Sequence, residues 1–407
     1  MIKQAFILAG GLGTRLGALT QRSPKPMMQI GEKPFLAYLI DNLSRHGIKK
    51  IILSVGYLGE QIASYFGDGS RLGVAIKYVH EASPAGTAGA LKLAEAILED
   101  SFLMLNGDTL FDFNYLDLAL FHAEHPTSVA SIALRPEKDT ERYGNIRLTG
   151  ELITAFTEKP PAQHEQAPIS SGVYVLNKKI LNYIAKIPAS IEKDVFPVLV
   201  EEKNLYGKIY PESNFFIDIG LPDTLSLAKT SIPRWLMKPA ILLDRDGVLN
   251  VDKHYVHQAQ DFEWMPGAIA AIKSLNDAGY LVFLVTNQAG IARGYYSEEL
   301  FLQFSQWINA ELKKMGAHID QIYYCPHHDI SGKGIYLTSC ACRKPKSGML
   351  LRAMSDYKIN KEKSFMIGDK DKDVSAGKQA GLTAHQFVQD NLLEFIINKI
   401  GVKSFNS

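Results

Sequence analysis

The chain is poor in cysteine and tryptophan, carries almost no net charge, and has no long apolar run. Three cysteines in 407 residues are too few for a disulfide framework and point to a reducing compartment, so a cytoplasmic setting is expected. A formal charge of +1, with charged residues at 21%, offers no basic excess for nucleic acid or for an anionic membrane surface. No apolar stretch approaches the roughly 18 residues that a spanning helix needs. The opening MIKQAFILAGG runs straight into glycines, so it reads as a buried first strand rather than a signal peptide. Short repeats and low-complexity tracts are missing too. What is present is 46% hydrophobic residues, enough to core two or three domains.

Apolar β-branched runs alternate with helical patterns. Strands are expected at Ala5–Leu8, Lys50–Val55, Val74–His80, Phe102–Leu105 and Val129–Leu134, and helices at Phe35–His46 and Thr87–Ala96. This alternation implies an α/β fold with a mostly parallel sheet covered on both faces. The pattern restarts after Lys229. Thr230–Pro239 holds two prolines and no clear period, which makes it the linker candidate. We therefore expect a first domain over 1–231, a linker at 232–238 and a second domain over 239–407. The second domain reads as strand Ala240–Asp244, helix Gly267–Ala278, strand Leu281–Thr286, helix Ser297–Met315 and strand Ser364–Ile367. Both domains are then doubly wound, and such folds bind ligands beyond the carboxyl ends of their strands.

The first candidate site follows the first strand directly. Gly10, Gly11 and Gly13 let the backbone approach a phosphate, and free N–H groups there can cradle it together with Thr14. Arg15 adds a forked cation and Lys25, between Pro24 and Pro26, a second charge on a stiff loop. With the motifs further along, residues 1 to about 230 resemble a nucleoside-diphosphate-sugar pyrophosphorylase, which carries a Rossmann-like mixed sheet. The resemblance implies that Glu81–Ala90, with Gly86 and Thr87, receives base and ribose, and that Asp108 in Asn106-Gly107-Asp108 and Asp218 in Phe216–Gly220 hold Mg²⁺. It also implies that Gly144, Glu158 and Lys159 contact the sugar phosphate. The physics is compatible, because joining a sugar phosphate to a nucleoside triphosphate brings two polyanions together and needs positioning and charge neutralisation. Two hard carboxylates can hold Mg²⁺, while Arg15, Lys25 and Lys159 offset the remaining charge. No hexapeptide repeats follow residue 230, so the left-handed β-helix of some relatives is not expected.

The second candidate site is Asp244-Arg245-Asp246-Gly247 after an apolar strand. An aspartate at a strand's carboxyl end can attack phosphorus, and a second aspartate two residues on can protonate the leaving oxygen and then activate water. Thr286 and Asn287 end another strand, Arg343 and Lys344 supply cations, and Asp369 opens a run of alternating aspartates and lysines. Asp244, Asp246 and Asp369 are the expected Mg²⁺ ligands. All four elements, in this order, resemble a haloacid-dehalogenase-type phosphatase. The three cysteines fall within 18 residues. Cys325, His327, Cys340 and Cys342 form an expected closed Cys₃His zinc shell, with His328 as the alternative imidazole, and the zinc would pin the loop that delivers Arg343.

Twelve residues separate His327 from Cys340. That gap resembles the D-glycero-D-manno-heptose 1,7-bisphosphate 7-phosphatases rather than the histidinol phosphatases, whose gap is short. Arg293 in Gly290–Tyr295 is then the candidate for the substrate's other phosphate. The first domain in turn resembles the heptose 1-phosphate guanylyltransferases. Together the resemblances imply a bifunctional enzyme of GDP-D-glycero-D-manno-heptose synthesis, acting on heptose 1,7-bisphosphate, heptose 1-phosphate and GTP, whose product serves a surface polysaccharide such as lipopolysaccharide or an S-layer glycan. Two alternatives stay open. One is another sugar 1-phosphate, glucose or mannose, with UTP, CTP or dTTP, beside a sugar-bisphosphate or histidinol-phosphate-like phosphatase. The other is a first domain that only senses a sugar nucleotide. The apolar stretch Leu392–Ile400 fits packing on its own domain or a homo-oligomer contact.

Overall fold

A computed structural model describes residues 2–11, 13–137, 145–157, 167–388 and 390–402, without the side chains of Thr14, Ala18, Asn145 and Thr157. The chain forms two compact units, Met1–Arg234 and Trp235–Ser407. The boundary falls inside the expected linker. The expectation of an irregular linker from Thr230 is corrected in its first half, because helix Pro222–Trp235 extends into it and leaves only residues 236–239 outside regular helix. Leu225, Ala228 and Ile232 are buried along that helix. Their spacing is the stripe of a helix packed on a core, and the two prolines mask it in the sequence.

The first unit is built on nine strands. Their spatial order is Ala75–His80, Lys50–Val55, Gln4–Leu8, Ser101–Asn106, Ala167–Asn177, Ala130–Glu137, Leu205–Ile209, Leu152–Thr157, Asn145–Thr149. The first four are parallel, and Phe6, Ile7, Ile52 and Leu53 at their centre are buried, as parallel strands covered on both faces must be. Ala167–Asn177 runs antiparallel to both of its neighbours, so the sheet is mixed, as the resemblance implies, where the strand–helix alternation alone suggested a mostly parallel one. Antiparallel pairing needs no helical crossover. The expected helix Thr87–Ala96 is observed as Gly86–Leu93 followed by a 3₁₀ turn, Glu95–Ile97.

The second unit has five parallel strands in the order Gln321–Cys325, Leu281–Asn287, Ala240–Leu243, Phe365–Gly368, Thr383–Gln386. Helices Ala268–Asp277, Glu298–Lys314 and Leu392–Ile400 pack their apolar faces into one core with Ile241, Leu243, Val282 and Leu284. The terminal apolar helix thus packs on its own unit through Leu392, Phe395 and Ile396. Among the described residues no helix is long and apolar enough to cross a membrane.

Candidate functional sites

In the first unit the carboxyl ends of three neighbouring strands present the loop after Leu8, Gly56 and Asn106-Gly107-Asp108. Gly107 N–H donates to Leu8 O at 2.9 Å, and a Cβ on Gly107 would stand 2.5 Å from that oxygen, so the glycine permits the two strand ends to touch. Asp218 arrives by a different route. The short strand Phe216–Asp218 pairs antiparallel with Thr109–Phe111, which sets Asp218 opposite Thr109. Lys25 lies on the 3₁₀ turn Lys25–Met27, entered through Pro24. Its ammonium contacts Asp108 directly and lies 3.9 Å from Asp218 Oδ1. The two carboxylates expected to hold Mg²⁺ therefore face one cation, and their hard oxygens on a single point fit a divalent ion.

Gly10 backs onto Glu81, where an added Cβ would stand 2.6 Å from Oε1. Glu81 accepts from Ser54 Oγ at 2.8 Å and from Ala85 N–H at 3.1 Å. This carboxylate was not singled out in the sequence, although it heads the Glu81–Ala90 motif. Gly13 adopts φ 63° and its carbonyl accepts from Thr20 Oγ1. Gly11 and Arg15 are exposed. Gly86, which is exposed, and Thr87 pack against the segment Ala189–Glu192. A Cβ on Gly86 would stand 2.3 Å from Ala189 O. Thr87 Oγ1 donates to Glu192 and accepts from Ile191 N–H, both at 2.8 Å. Gly144, Glu158, Lys159 and the side chain of Thr14 lie outside the described residues.

In the second unit Asp244, Thr286, Asn287 and Asp369 stand at the ends of three adjacent strands. Lys344 is fully enclosed there. Its Nζ lies 2.8 Å from Asp244 Oδ2 and 2.7 Å from Asp373 Oδ1, and it donates to Val285 O at 2.7 Å. Asn287 clasps the Lys344 backbone, accepting from its N–H and donating to its carbonyl, both at 3.0 Å. Burial alone would raise the Asp244 carboxyl, but the Lys344 ammonium overrides it and holds Asp244 below the usual carboxylate range. Asp369 and Asp373 are pushed up, first by burial and then by the Asp244 charge.

Asp244, Asp369 and Asp373 bring carboxylate oxygens within 4.8 Å of one another. Asp369 Oδ1 is buried with no hydrogen-bond partner. Crowded carboxylates with an orphaned oxygen fit a divalent cation, which would relieve their repulsion. Asp246, expected among the ligands, is outside this group, and Asp373 is in it. Gly247 and Gly368 make room, since a Cβ would stand 2.5 Å from Asp369 Oδ2 at the first and 2.1 Å from Asp373 Cβ at the second.

A cleft of about 220 Å³ opens over the site. Thr286, Gln288, Arg343, Lys370 and Lys372 are among its lining residues, a basic wall for an anionic substrate. Asp246 also lines it, and its carboxylate accepts from Arg245, Asn250 Nδ2 at 3.1 Å and Gln288 Nε2 at 3.3 Å. Asn250 and Gln288 carried no recognisable signal in the sequence. Arg293 is one layer back, its guanidinium donating to the hydroxyl of Tyr255, which lines the cleft.

Cys325 ends its strand, and His327, Cys340 and Cys342 close around it. The Cys342 thiol lies 3.2 Å from Cys325 Sγ, 3.0 Å from Cys340 Sγ and 3.5 Å from His327 Nδ1. A tetrahedron with zinc–sulfur arms of about 2.3 Å has edges near 3.8 Å, so the four donors fit that ion with small adjustments. Burial raises the Cys340 thiol, but hydrogen bonds from Cys342 and Cys325 outweigh it and bring it down to about 7. His328 turns away, its Nδ1 accepting from Ile330 and Ser331 N–H at 3.2 Å each. Arg343 follows Cys342 and donates to His327 O at 3.1 Å, so the cluster and the cleft share one loop.

Comparison with known proteins agrees with this division. The nucleotidyl transferase family model matches residues 4–234, and a HAD-hydrolase-like model matches residues 341–386. The D-glycero-beta-D-manno-heptose-1,7-bisphosphate 7-phosphatase of Pasteurella multocida is 54% identical over 35% of this chain and 78% of its own length. The D-glycero-alpha-D-manno-heptose 1-phosphate guanylyltransferase of Aneurinibacillus thermoaerophilus is 38% identical over 57% of this chain and all of its own. The crystal structure of HddC from Yersinia pseudotuberculosis is 31% identical, covers 57% of this chain and 100% of its own, and superposes with a TM-score of 0.49. The chain thus belongs to the nucleotidyl transferase family over its first unit and, over its second, to the haloacid-dehalogenase-like family of the heptose-bisphosphate 7-phosphatases.

Proposed function

We propose that the chain performs two consecutive steps on one heptose phosphate, ending in GDP-D-glycero-D-manno-heptose. The observation that carries the proposal is the pairing, in one chain, of a likeness to 7-phosphatases of the 1,7-bisphosphate with a likeness to a guanylyltransferase of the 1-phosphate. The product of the first reaction is the acceptor of the second.

In the second unit, Asp244 attacks the 7-phosphate and the bond from phosphorus to the sugar oxygen breaks. Asp246 donates its proton to that oxygen. Water then attacks phosphorus and returns a proton to Asp246, and the Asp244–phosphorus bond breaks to release phosphate. Lys344, Arg343 and Thr286 face the transferred group, and Arg293 is the candidate grip on the far phosphate. Asp244, Asp369 and Asp373 would hold Mg²⁺, which neutralises phosphoryl charge when bound. Zinc at Cys325, His327, Cys340 and Cys342 would be structural, because four protein donors leave no open position. In the first unit, the sugar phosphate oxygen attacks the α-phosphate of GTP and pyrophosphate leaves. Lys25 and Arg15 offset the charge there, and Asp108 and Asp218 would hold Mg²⁺.

The two relatives are named for opposite anomers. Hydrolysis at position 7 never touches the anomeric centre, so one anomer must satisfy both units, and the guanylyltransferase likeness favours alpha. The test supplies heptose 1,7-bisphosphate in each anomer with each nucleoside triphosphate. Phosphate release from the alpha anomer, then pyrophosphate release with GTP alone, is the expected result. Phosphate release without pyrophosphate from any nucleotide would refute the two-step reading.

A further inference from the structure

We propose that Arg245, between the two motif aspartates, is a positioning residue that aims the Asp246 carboxyl at the departing sugar oxygen. This rests on the reading of Asp246 as acid and base. Arg245 is 1% exposed and among the largest fully buried side chains. Its Nη2 lies 2.9 Å from Asp246 Oδ1 and 2.8 Å from Oδ2, and its Nε 3.2 Å from Oδ1. The same Nη2 donates to Val256 O at 2.7 Å. The guanidinium carbon stands 5.8 and 5.6 Å from the ring centroids of Phe301 and Phe304.

A buried guanidinium carries a desolvation penalty of several kcal/mol unless it is well paired. Asp246 is the only carboxylate within ion-pair distance of Arg245 among the described residues. The cation is thus fixed from behind by two aromatic rings and a carbonyl, and from in front by one carboxylate that reaches the cleft. Asn250 and Gln288 complete the hold. They are 0% and 2% exposed and reach Asp246 from the turn after the motif and from the end of strand Leu281–Asn287. With donors on three sides, the Asp246 carboxyl, 22% exposed, has one open direction, toward the cleft it lines. Lysine could supply the charge but not the fork that meets both carboxylate oxygens.

The test compares leaving groups. Nitrophenolate departs without a proton, whereas a sugar alkoxide needs one, so loss of aim affects only the sugar. Full-length Arg245→Gln and Arg245→Lys are assayed for kcat/KM, which reports steps through the first phosphoryl transfer, on heptose 1,7-bisphosphate and on p-nitrophenyl phosphate. Arg245→Gln is expected to lose about 10- to 100-fold on the sugar and less than about 3-fold on the aryl ester, with Arg245→Lys between it and wild type. Asp246→Asn should show the same split, larger. Equal losses on both substrates, while Asp246→Asn keeps its split, overturn the role of Arg245. No split in Asp246→Asn overturns the acid–base reading instead. If Arg245→Gln does not fold, Arg245→Lys, which keeps charge and most of the volume, decides the matter by the same ratio.

Discussion

Replacing Lys344 by Met should destabilise the phosphatase unit by an amount set by the two carboxylates left behind. The Lys344 ammonium is 0% exposed and has both Asp244 and Asp373 within 2.8 Å. Removing one partner of a buried ionic group costs roughly 3–5 kcal/mol. Asp373 is already pushed toward its neutral form by burial and by the Asp244 charge. It takes up a proton once the lysine is gone, which keeps the cost near the lower end, about 3 kcal/mol. For a unit of this size, about 2–4 °C is lost per kcal/mol, giving a drop of roughly 6–12 °C. The assay is specific because, with Trp235 at the boundary replaced by Phe in every variant, the remaining tryptophans Trp264 and Trp307 lie in the second unit, so their fluorescence follows that unit in the intact chain. Melting is measured with zinc retained and no added Mg²⁺, then with Mg²⁺, which should narrow the deficit by occupying the carboxylates. Adding Asp373→Asn should recover about 1 kcal/mol or more, since the two sites are in contact. A melting point within about 2 °C of wild type without Mg²⁺, or strict additivity in the double variant, would refute the electrostatic account.

The other predictions concern zinc, the nucleotide loop and pH. Cys342→Ser should lower bound zinc from one equivalent toward none by elemental analysis and abolish phosphate release, leaving pyrophosphate release intact; retained phosphatase activity would separate the loop from the cluster. Gly10→Ala would push a methyl group to 2.6 Å from Glu81 Oε1, and should cut pyrophosphate release about tenfold or more with phosphate release unchanged. Burial of the His122 imidazole, with a lesser push from His125, depresses it to about 4. The unfolded chain therefore takes the proton first, and His122 withdraws stability from the first unit as pH falls from 6.5 toward 4, roughly 1.4 kcal/mol per pH unit. Urea midpoints of wild type and His122→Phe, followed by circular dichroism at pH 6.5 and 4.5, should shift in favour of the variant at the lower pH; a constant difference would contradict this.

Which parts of these sites were legible in the sequence follows from how locally each is determined. Asp244, Lys25 and the cysteine pairs lie on strand ends or tight turns whose geometry depends on a few neighbours. Strand position was equally local: the run Lys50–Val55 is apolar because it is buried between two parallel partners. Asp373 was harder. It is one of three aspartates alternating with lysines, and the one that joins Asp244 and Asp369 is chosen by where helix Asp371–Gln379 begins. Asn250 and Gln288 are ordinary polar residues until the fold brings both to Asp246. Gly86 and Thr87 are held by Ala189–Glu192, about a hundred residues away, a partner that no local pattern reveals. The mixed sheet was expected from the resemblance alone and is invisible in the apolar period, because strand direction depends on connections.

The same physics explains why glycine marks both sites so strongly. At Gly247 an added Cβ would stand 2.5 Å from Asp369 Oδ2, and at Gly220 it would stand 2.8 Å from Asp218 Oδ1 and 3.1 Å from Lys25 Nζ. In each place the missing side chain makes room for a charged group of the site rather than merely freeing a turn. Handling phosphate requires several like and unlike charges within a few ångströms, and backbone without Cβ is the cheapest surface against which they can converge. A motif glycine at such a site therefore records charge density as much as chain flexibility. On this argument Gly220→Ala, although distant in sequence from the glycine loop at Gly10–Gly13, should impair nucleotidyl transfer by displacing Lys25 and Asp218, whereas Gly150→Ala, where nothing lies within 4 Å, should leave it unchanged. Pyrophosphate release by the two variants at equal melting temperature compares a charge site with a plain turn, and equal activities would defeat the argument.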